Sequence, residues 1–256
     1  MNAPRDPHQP RTMTAAPIRI ILLDTETNGL PKNRYAPVSE PGNWPAILQL
    51  SWSEFVVEGR NLHLEASRNI GLALHPSVPW NAEAAAIHGV SEVEARRGTP
   101  AAEALLAFRE ALHRCHVVVA HNLSFDKPVI RAAAYAEWLR DGPPELRSIW
   151  PEGIQDICTM TGTRDMVRIP SPYDPTSGKF KVPKLNELYG WLYGHRYDIS
   201  GATLHSSRSD THCLEQCVRM MLRRGLLAQG PGPEPKLILR PASPSSRADA
   251  SSSSGP

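Results

Sequence analysis

The sequence has little that would tie it to a membrane or to an oxidising compartment. None of its apolar runs approaches the roughly 20 residues that a membrane-spanning helix needs. The N-terminal residues lack the apolar core of a secretory signal. The 4 cysteines are widely spread and lack the spacing of a disulfide framework. We therefore expect a soluble protein of the reducing cytoplasm with no membrane association.

An excess of positive charge is also missing. The formal net charge is only +2, far below that of proteins that coat nucleic acid with a basic surface. A chain of this composition would have to handle nucleic acid in a small site, with metal ions offsetting the phosphate charge. Hydrophobic residues make up 41% of the chain, which is enough to build the core of an ordinary globular domain.

The two ends of the chain differ in composition from its middle. Residues 1–17 are rich in proline and alanine without periodicity, and residues 229–256 are dense in proline and serine. Such segments bury too little apolar surface to offset the entropy of ordering them. We therefore expect two disordered tails around one domain, residues 18–228. The segment KLILR in the second tail is either a docking peptide or a few apolar residues in disorder, and disorder is slightly favoured.

Within the domain, a meander of strands precedes alternating strands and helices. Strands are expected at 18–23, 47–57, 62–70, 117–120 and 154–158, and helices at 83–87, 100–113, 125–140, 184–193 and 207–224. Proline and glycine interrupt residues 161–182, which predicts a long loop there. This order of elements predicts an α/β domain with a mixed sheet and helices packed on it.

An acidic pair follows the first predicted strand. Asp24 and Glu26 are two residues apart, so in an extended segment both side chains project to the same side. Paired carboxylates at a strand end are a hard-oxygen platform for Mg²⁺ or Mn²⁺. A solvated acidic turn that caps the strand explains this pair equally well while the pair is considered alone.

A third acidic residue, Asp126, follows the predicted strand at 117–120. It falls in the first turn of a helix that Ser124 is expected to cap. The helix dipole favours a carboxylate at that position, so a structural role explains Asp126 as well as a catalytic one does.

Periodicity in the last predicted helix gives the strongest signal. Asp210, Leu214, Cys217 and Met221 follow steps of four, three and four residues, so Asp210 shares the apolar face of this helix. The carboxylate should therefore point at the sheet, where it needs a partner, and a metal ion is the natural one. Cys213 and Cys217 do not indicate a zinc site, because no second pair of ligands accompanies them.

Three motifs, in this order, resemble the exonuclease motifs of the DEDD superfamily, which has a ribonuclease H-like fold. They are DTETNGL at 24–30, HNLSFD at 121–126 and HSSRSD at 205–210. His205, five residues before Asp210, is typical of the DEDDh branch, which includes bacterial proofreading subunits, TREX-type DNA exonucleases, RNase T and oligoribonuclease. EAAAIHGV at 83–90 and PKLNELYGWLYG at 183–194 are also similar to family segments. The resemblance covers residues 18–224 approximately.

The resemblance implies a 3′–5′ exonuclease that releases nucleoside 5′-monophosphates by a two-metal mechanism. The four carboxylates that would hold two Mg²⁺ or Mn²⁺ ions are Asp24, Glu26, Asp126 and Asp210. His205 would accept the proton of the attacking water as general base. The residues expected to hold the terminal nucleotides are Thr27, Leu30, His88, Asn122 and Phe125. Leu30 and Phe125 have a core role as their alternative, and His88 a role in a turn.

The identity of the substrate stays open at this point. DNA is preferred to RNA, because the motif spacing and the helix before the third motif look more like those of DNA-degrading members. An exoribonuclease acting on RNA 3′ ends is the first alternative. A non-catalytic adaptor that binds a polymerase through its tails is the second, although all four carboxylates and His205 are present. A DNA polymerase or repair protein is the expected protein partner. Arg208 departs from the usual third motif, which predicts an altered phosphate contact.

Overall fold

A computed structural model describes residues 17–194 and 206–241. Its central sheet has five strands in the order β3-β2-β1-β4-β5. They are β1 (Ile18–Thr27), β2 (Ile47–Glu58), β3 (Asn61–Gly71), β4 (Val117–Ala120) and β5 (Gln155–Cys158). Strand β2 is antiparallel to both β1 and β3, whereas β4 is parallel to β1 and β5 is parallel to β4. The predicted mixed sheet is confirmed.

Helices cover both faces of this sheet. They are α1 (Ala82–His88), α2 (Glu92–Arg96), α3 (Ala101–Arg114), α4 (Leu123–Leu139), α5 (Thr159–Gly162), α6 (Arg164–Val167), α7 (Leu185–Tyr193) and α8 (Ser207–Arg223), with a 3₁₀ helix at Pro144–Ser148. No helix in the described part of the chain is long and apolar enough to cross a membrane.

Strand β1 separates two halves of the core. Its side chains alternate, so Ile20 and Leu22 pack with α7 and α8 on one face, whereas Ile21 and Leu23 pack with α3 and α4 on the other. All four residues are fully buried. The unbroken apolar run of β1 is therefore typical of a central strand covered on both faces.

The segment expected to be a loop, 161–182, contains short elements instead. Helix α5 extends into it, α6 follows, and strands β6 (Ile169–Pro170) and β7 (Phe180–Lys181) form a two-stranded hairpin. Each of these elements has at most four residues, which is too short for periodicity to indicate. The loop prediction was wrong for these residues.

A second hairpin corrects the expectation of a disordered tail from residue 229. Strands β8 (Leu227–Gln229) and β9 (Leu237–Leu239) pair antiparallel, and Leu237 is fully buried in the core beneath α8. The Gln155 side chain pairs with the backbone of Leu237. Its amide Nε2 donates to the Leu237 carbonyl (2.6 Å), and its Oε1 accepts a hydrogen bond from the Leu237 N–H (2.9 Å). The KLILR segment thus packs onto the domain. Residues 1–16 and 242–256 lie outside the described residues.

Truncation after Gln229 is expected to lower the free energy of unfolding by about 3 kcal/mol or more. The reason is that loss of one buried leucine side chain alone costs roughly 2–5 kcal/mol, and Gln155 also loses both partners. Urea denaturation followed by circular dichroism would measure the change. Truncation after Pro241, which keeps the hairpin, is the matched control. Equal stability of the two truncated chains would contradict the packing of β9.

Candidate active site

Three carboxylates meet at the carboxyl end of β1. Asp24 and Glu26 lie on β1 and Asp210 in the first turn of α8, and one ligand oxygen from each lies within 4.8 Å of the other two. Asp24 and Glu26 continue the alternation of Ile20 and Leu22, which places them on the α8 side of the sheet. The sequence prediction that these residues lie together is confirmed. No other group of three or more His, Cys, Asp or Glu side chains in the described ranges is this close.

The start of α8 is fixed by serines. Ser206 is the N-cap, and its Oγ accepts a hydrogen bond from the N–H of Ser209 (3.2 Å). Ser207 is fully buried, and its hydroxyl lies 2.8 Å from that of Ser51 on β2. Below these serines the buried side of α8 packs on the sheet. These contacts and this packing therefore hold Asp210 over the end of β1.

Asp126 reaches the same place from the first turn of α4. It is only 3% exposed, and its Oδ1 accepts hydrogen bonds from the Thr25 N–H (3.1 Å) and the Thr25 hydroxyl (2.8 Å). Thr25 lies between Asp24 and Glu26, so it connects the first motif directly to the second. The sequence analysis missed this role, although the position of Thr25 between two acidic residues was the available signal.

The carboxylates strongly perturb one another. Burial, together with the charges of Asp126, Asp210 and Glu26, raises the pKa of Asp24 well above its ordinary value. Burial, with the charges of Asp210 and Asp126, raises the pKa of Glu26 to about 7. Burial also raises the pKa of Asp126 to about 7, although its bonds from Thr25 act in the opposite direction. Without a cation, the protonated forms of these carboxyl groups are therefore favoured, because neighbouring negative charges repel one another.

The donor set fits a hard divalent cation. Its ligands are carboxylate oxygens without a sulfur or nitrogen donor among the three clustered residues, and Mg²⁺ and Mn²⁺ prefer such ligands. A cation would also offset the mutual repulsion that raises the pKa of Asp24 and Glu26. The residues at this strand end are therefore suited to hold metal.

Glu26 is expected to contribute less to the free energy of unfolding, measured in EDTA, as the pH rises from about 4.5 to about 7. The folded protein retains a proton on Glu26 up to a pKa of about 7, whereas the unfolded chain releases it near 4.5, so deprotonation favours unfolding in this window. Glu26→Gln should remove this fall and stabilise the metal-free protein at pH 7.5. Urea denaturation at pH 5 and pH 7.5 would measure it.

Glu83→Gln, at an exposed position on α1, is the matched control and should leave the pH dependence unchanged. If Glu26→Gln destabilised the protein at pH 7.5 in EDTA, the negative charge of Glu26 would be stabilising and its pKa would not be raised.

The first motif continues into an ordered turn. The Thr27 hydroxyl donates to the Gly29 carbonyl (2.7 Å), and Gly29 has a φ of 129°, which a residue with a side chain rarely adopts. Leu30 follows and is 80% exposed. The alternative that Leu30 belongs to the core is therefore wrong. Leu30 lies four residues after Glu26, and its exposed side chain is available to contact a ligand.

Asn28 connects this turn to α1. Its Nδ2 donates to the Pro79 carbonyl (2.8 Å), and its Oδ1 accepts the Asn81 N–H (3.0 Å). Asn81 in turn is the N-cap of α1 and accepts from the N–H groups of Glu83 and Ala84. Asn28 thereby positions α1, a role that the sequence analysis did not assign.

His88 lies at the end of α1 and is only 7% exposed. Its Nδ1 accepts the Val90 N–H (3.1 Å), which agrees with the alternative of a turn histidine, but its buried Nε2 has no partner in the described structure. Burial lowers the pKa of His88, so the neutral ring is favoured. His88 also lines a cavity of about 260 Å³ together with Gln49, and its contact with the terminal nucleotides stays a prediction.

The second motif forms the junction between β4 and α4. Asn122 is the N-cap of α4 in a left-handed conformation (φ 88°), and no side chain caps this helix. Ser124 was predicted to cap α4 and does not, because α4 begins one residue earlier, at Leu123, and the Ser124 hydroxyl donates to the Asn122 Oδ1 (2.9 Å). Phe125 is half-buried and packs against the core beneath α3 and α4, so its core alternative is partly confirmed.

His121 connects the second motif to the segment before α7. Its Nε2 lies 3.0 Å from the Pro183 carbonyl and its Nδ1 2.9 Å from the Thr159 hydroxyl. Since a carbonyl only accepts, Nε2 carries the proton. Burial lowers the pKa of His121 to about 4. His121 is therefore a neutral positioning residue, which the sequence analysis did not recognise.

Two residues of the third motif have different outcomes. His205, the predicted general base, lies outside the described residues. Arg208 is exposed in the first turn of α8, so its predicted phosphate contact stays a prediction.

Cys213 and Cys217 lie on the buried side of α8 and are fully buried, in agreement with their interpretation as core cysteines.

Comparison with known proteins gives similarity in structure only. No family model matches the chain, and the search of curated proteins gives no match. The chain is similar to E. coli exonuclease I in its zinc-bound complex with single-stranded DNA (TM-score 0.53, 14% identity), with 81% of this chain and 41% of that chain covered.

Two further complexes of E. coli exonuclease I give similar values. The complex with a dA16 oligonucleotide has a TM-score of 0.54 and 13% identity over 79% of this chain and 41% of that chain. The complex with a dT13 oligonucleotide has a TM-score of 0.56 and 12% identity over 80% of this chain and 41% of that chain. The chain thus spans about two fifths of the length of these proteins. At such identities the similarity shows the fold, and the predicted ribonuclease H-like fold is confirmed.

Proposed function

We propose that the chain is a metal-dependent exonuclease that hydrolyses DNA from its 3′ end and releases nucleoside 5′-monophosphates. The observation that carries this proposal is the convergence of Asp24, Glu26 and Asp210 at one strand end, with Asp126 held beside them. The shared fold with E. coli exonuclease I supports it, because that protein is an exonuclease by name and its complexes contain single-stranded DNA. The cytoplasm is the proposed location, and a DNA polymerase or repair protein the proposed partner.

The four carboxylates would hold two divalent ions in this proposal. When bound, such ions supply a lowered pKa for the attacking water and charge stabilisation for the departing 3′ oxygen. The chain contributes the positions of the ligands. Thr25 holds Asp126 against β1 through two hydrogen bonds, and the Ser207 contact with Ser51 holds the start of α8 over β2.

His205 is proposed as the general base, which would assign the chain to the DEDDh branch. The proposal rests on the motif HSSRSD, which places His205 directly before Ser206, the N-cap of α8. A histidine with an ordinary pKa near 6.5 is neutral above that pH and can accept the proton of the attacking water. No other residue of the third motif has a side chain suited to this step at neutral pH.

The terminal nucleotides are proposed to contact the residues around the turn after β1. Leu30 is exposed and Phe125 is partly exposed, so each offers an apolar surface to a base. Stacking on apolar surfaces is largely independent of base identity, which predicts little sequence preference. His88, Thr27 and Asn122 would supply the polar contacts. DNA is preferred to RNA because the neighbouring structures contain DNA oligonucleotides.

Digestion of oligonucleotides labelled at the 5′ end tests the proposal. Single-stranded DNA should give a ladder of products that shorten from the 3′ end in Mg²⁺ or Mn²⁺, and EDTA should abolish it. A phosphorothioate at the terminal 3′ linkage should block digestion, whereas a 5′ block should have no effect. Circular single strands should survive.

Each other outcome has a defined meaning. Rapid cutting of circles would show an endonuclease, and faster digestion of RNA than of DNA would show an exoribonuclease. Binding of oligonucleotides without cleavage in any divalent ion would favour a non-catalytic adaptor.

A further inference from the structure

A second polar site lies on the outer side of α4, away from the buried side that carries Asp126. It is a cleft of about 270 Å³ between α4 and the segment that follows the 3₁₀ helix. Among its lining residues are Lys127, Arg131 and Tyr135 of α4, and Arg147 at the end of the 3₁₀ helix. We call it the α4 cleft.

The α4 cleft has an excess of positive charge. Lys127 forms an ion pair with Asp156, and Glu152 is the carboxylate that lines the cleft. Arg131 and Arg147 are exposed, and neither makes a hydrogen bond or ion pair with a residue of the described structure. In a chain with a net charge of only +2, two guanidinium groups with unused donors in one cleft are a local anion-attracting feature.

Aromatic rings hold two of these cations in place. The guanidinium carbon of Arg147 lies 5.0 Å from the ring centroid of Trp138, and the Lys127 ammonium lies 4.9 Å from that of Trp150. Tyr135 packs against Trp138 with ring centroids 5.2 Å apart. Stacking restricts a guanidinium group without consuming its N–H donors. The cleft therefore offers preorganised donors to a ligand.

The chemistry of these donors favours a phosphate group. Two guanidinium groups with free N–H donors match the oxygens of a phosphate, which they can bind in bidentate fashion. The volume of the cleft is at the lower end of ligand pockets, so it suits a phosphate group with part of a sugar better than a larger ligand. The cleft thus fits a phosphate, either free or in a polynucleotide backbone.

The helix relates this cleft to the carboxylates. Arg131 follows Asp126 by five residues, which corresponds to about 8 Å along the helix axis and about 140° around it. Ser124 in the first turn of α4 is exposed, which leaves this end of the helix open to a strand that runs from the carboxylates to the cleft. We propose that the α4 cleft binds a backbone phosphate of the same strand, on the 5′ side of the linkage that is cut. This inference rests on the proposed function, because that function places the 3′ end of a DNA strand at the carboxylates.

Fluorescence anisotropy tests the inference. The probe is a fluorescent single-stranded DNA of about 12 nucleotides, protected by a 3′ phosphorothioate, and its binding is measured in Mg²⁺ at several salt concentrations. The double variant Arg131→Gln/Arg147→Gln should bind about tenfold more weakly. The slope of log K against log salt should become shallower by about 0.7, because the cleft neutralises one phosphate of a single strand. Turnover of a dinucleotide without a 5′ phosphate should be unchanged, because its one phosphate is the linkage that is cut and none is left to enter the cleft.

Arg140→Gln is the matched control, since Arg140 lies at the end of the same helix but pairs with Glu137 outside the cleft. It should change binding less than twofold. The proposal would be overturned in favour of a free-phosphate site by two results together. Inorganic phosphate would weaken oligonucleotide binding to the wild type but not to the double variant, and the affinity for the oligonucleotide would not depend on its length. An unchanged salt slope in the double variant would show that the α4 cleft does not contact a phosphate.

The same measurements separate this inference from the proposed function. Normal cleavage with an unchanged salt slope in the double variant overturns the α4 cleft alone. Binding that depends on the two arginines, in a protein that cleaves nothing, overturns the exonuclease and supports the cleft as a polynucleotide site.

Discussion

Asp24→Asn is expected to reduce cleavage of single-stranded DNA by about 10⁴-fold or more. Loss of a central charged group of a hydrolase costs an amount of this order, and Asp24 is the carboxylate on which Asp126, Asp210 and Glu26 all act. The fold should remain, since asparagine has the same shape. In EDTA at pH 7.5 the variant should even be more stable than the wild type, because a carboxyl group whose pKa burial raises is replaced by a neutral amide.

Single-turnover cleavage and urea denaturation of the same preparation would measure both effects. Asp165→Asn is the control, because Asp165 is an exposed carboxylate of α6 outside the cluster. Retention of activity by Asp24→Asn would refute the metal site. Loss of activity together with loss of the fold would show that Asp24 has a structural role instead.

His205→Ala is expected to lower the rate of cleavage by about 10²–10⁴-fold, the usual contribution of a general base. Binding of metal and of oligonucleotide should change only a few-fold. The reason is that Asp210 is held by α8 itself, whose start is fixed by the Ser206 cap and by the contact of Ser207 with Ser51. Removal of a side chain before the N-cap therefore leaves the carboxylates in place.

The pH dependence provides the second readout. The wild-type rate should rise with pH through the titration of His205, near 6.5 for an ordinary histidine, because the neutral ring accepts the proton. His205→Ala should lose this rise. His212→Ala is the matched control, since His212 is exposed on α8 and faces Glu215. If His205→Ala and His212→Ala behaved alike, the assignment to the DEDDh branch would have no support.

The features that the sequence predicted correctly are those with a strong local pattern. The apolar run of β1 and the segment VVVA of β4 predicted buried strands, and both are buried. Helical periodicity predicted that Asp210 faces the sheet, and it lies beside Asp24 and Glu26. These predictions needed only the geometry of one element and the side to which each residue projects.

The features that the sequence analysis missed depend on contacts between distant residues. β9 lies in a segment rich in proline and serine, and its packing depends on Gln155, 82 residues earlier. The bond from Thr25 to Asp126 joins residues 101 positions apart. The cap of α4 failed as a prediction because Asn122 adopts a left-handed conformation that composition does not indicate.

Synthesis on a ribosome would deliver the parts of this protein in an order that matters. Gln155 emerges long before its partner Leu237, so the side-chain amide of Gln155 lacks both of these hydrogen bonds in a growing chain until β9 appears. Asp210 likewise emerges after the other three carboxylates. A nascent chain released before α8 would carry an incomplete set of the proposed metal ligands. Under the proposed function, premature termination should therefore yield fragments that cut no nucleic acid, rather than an unregulated nuclease.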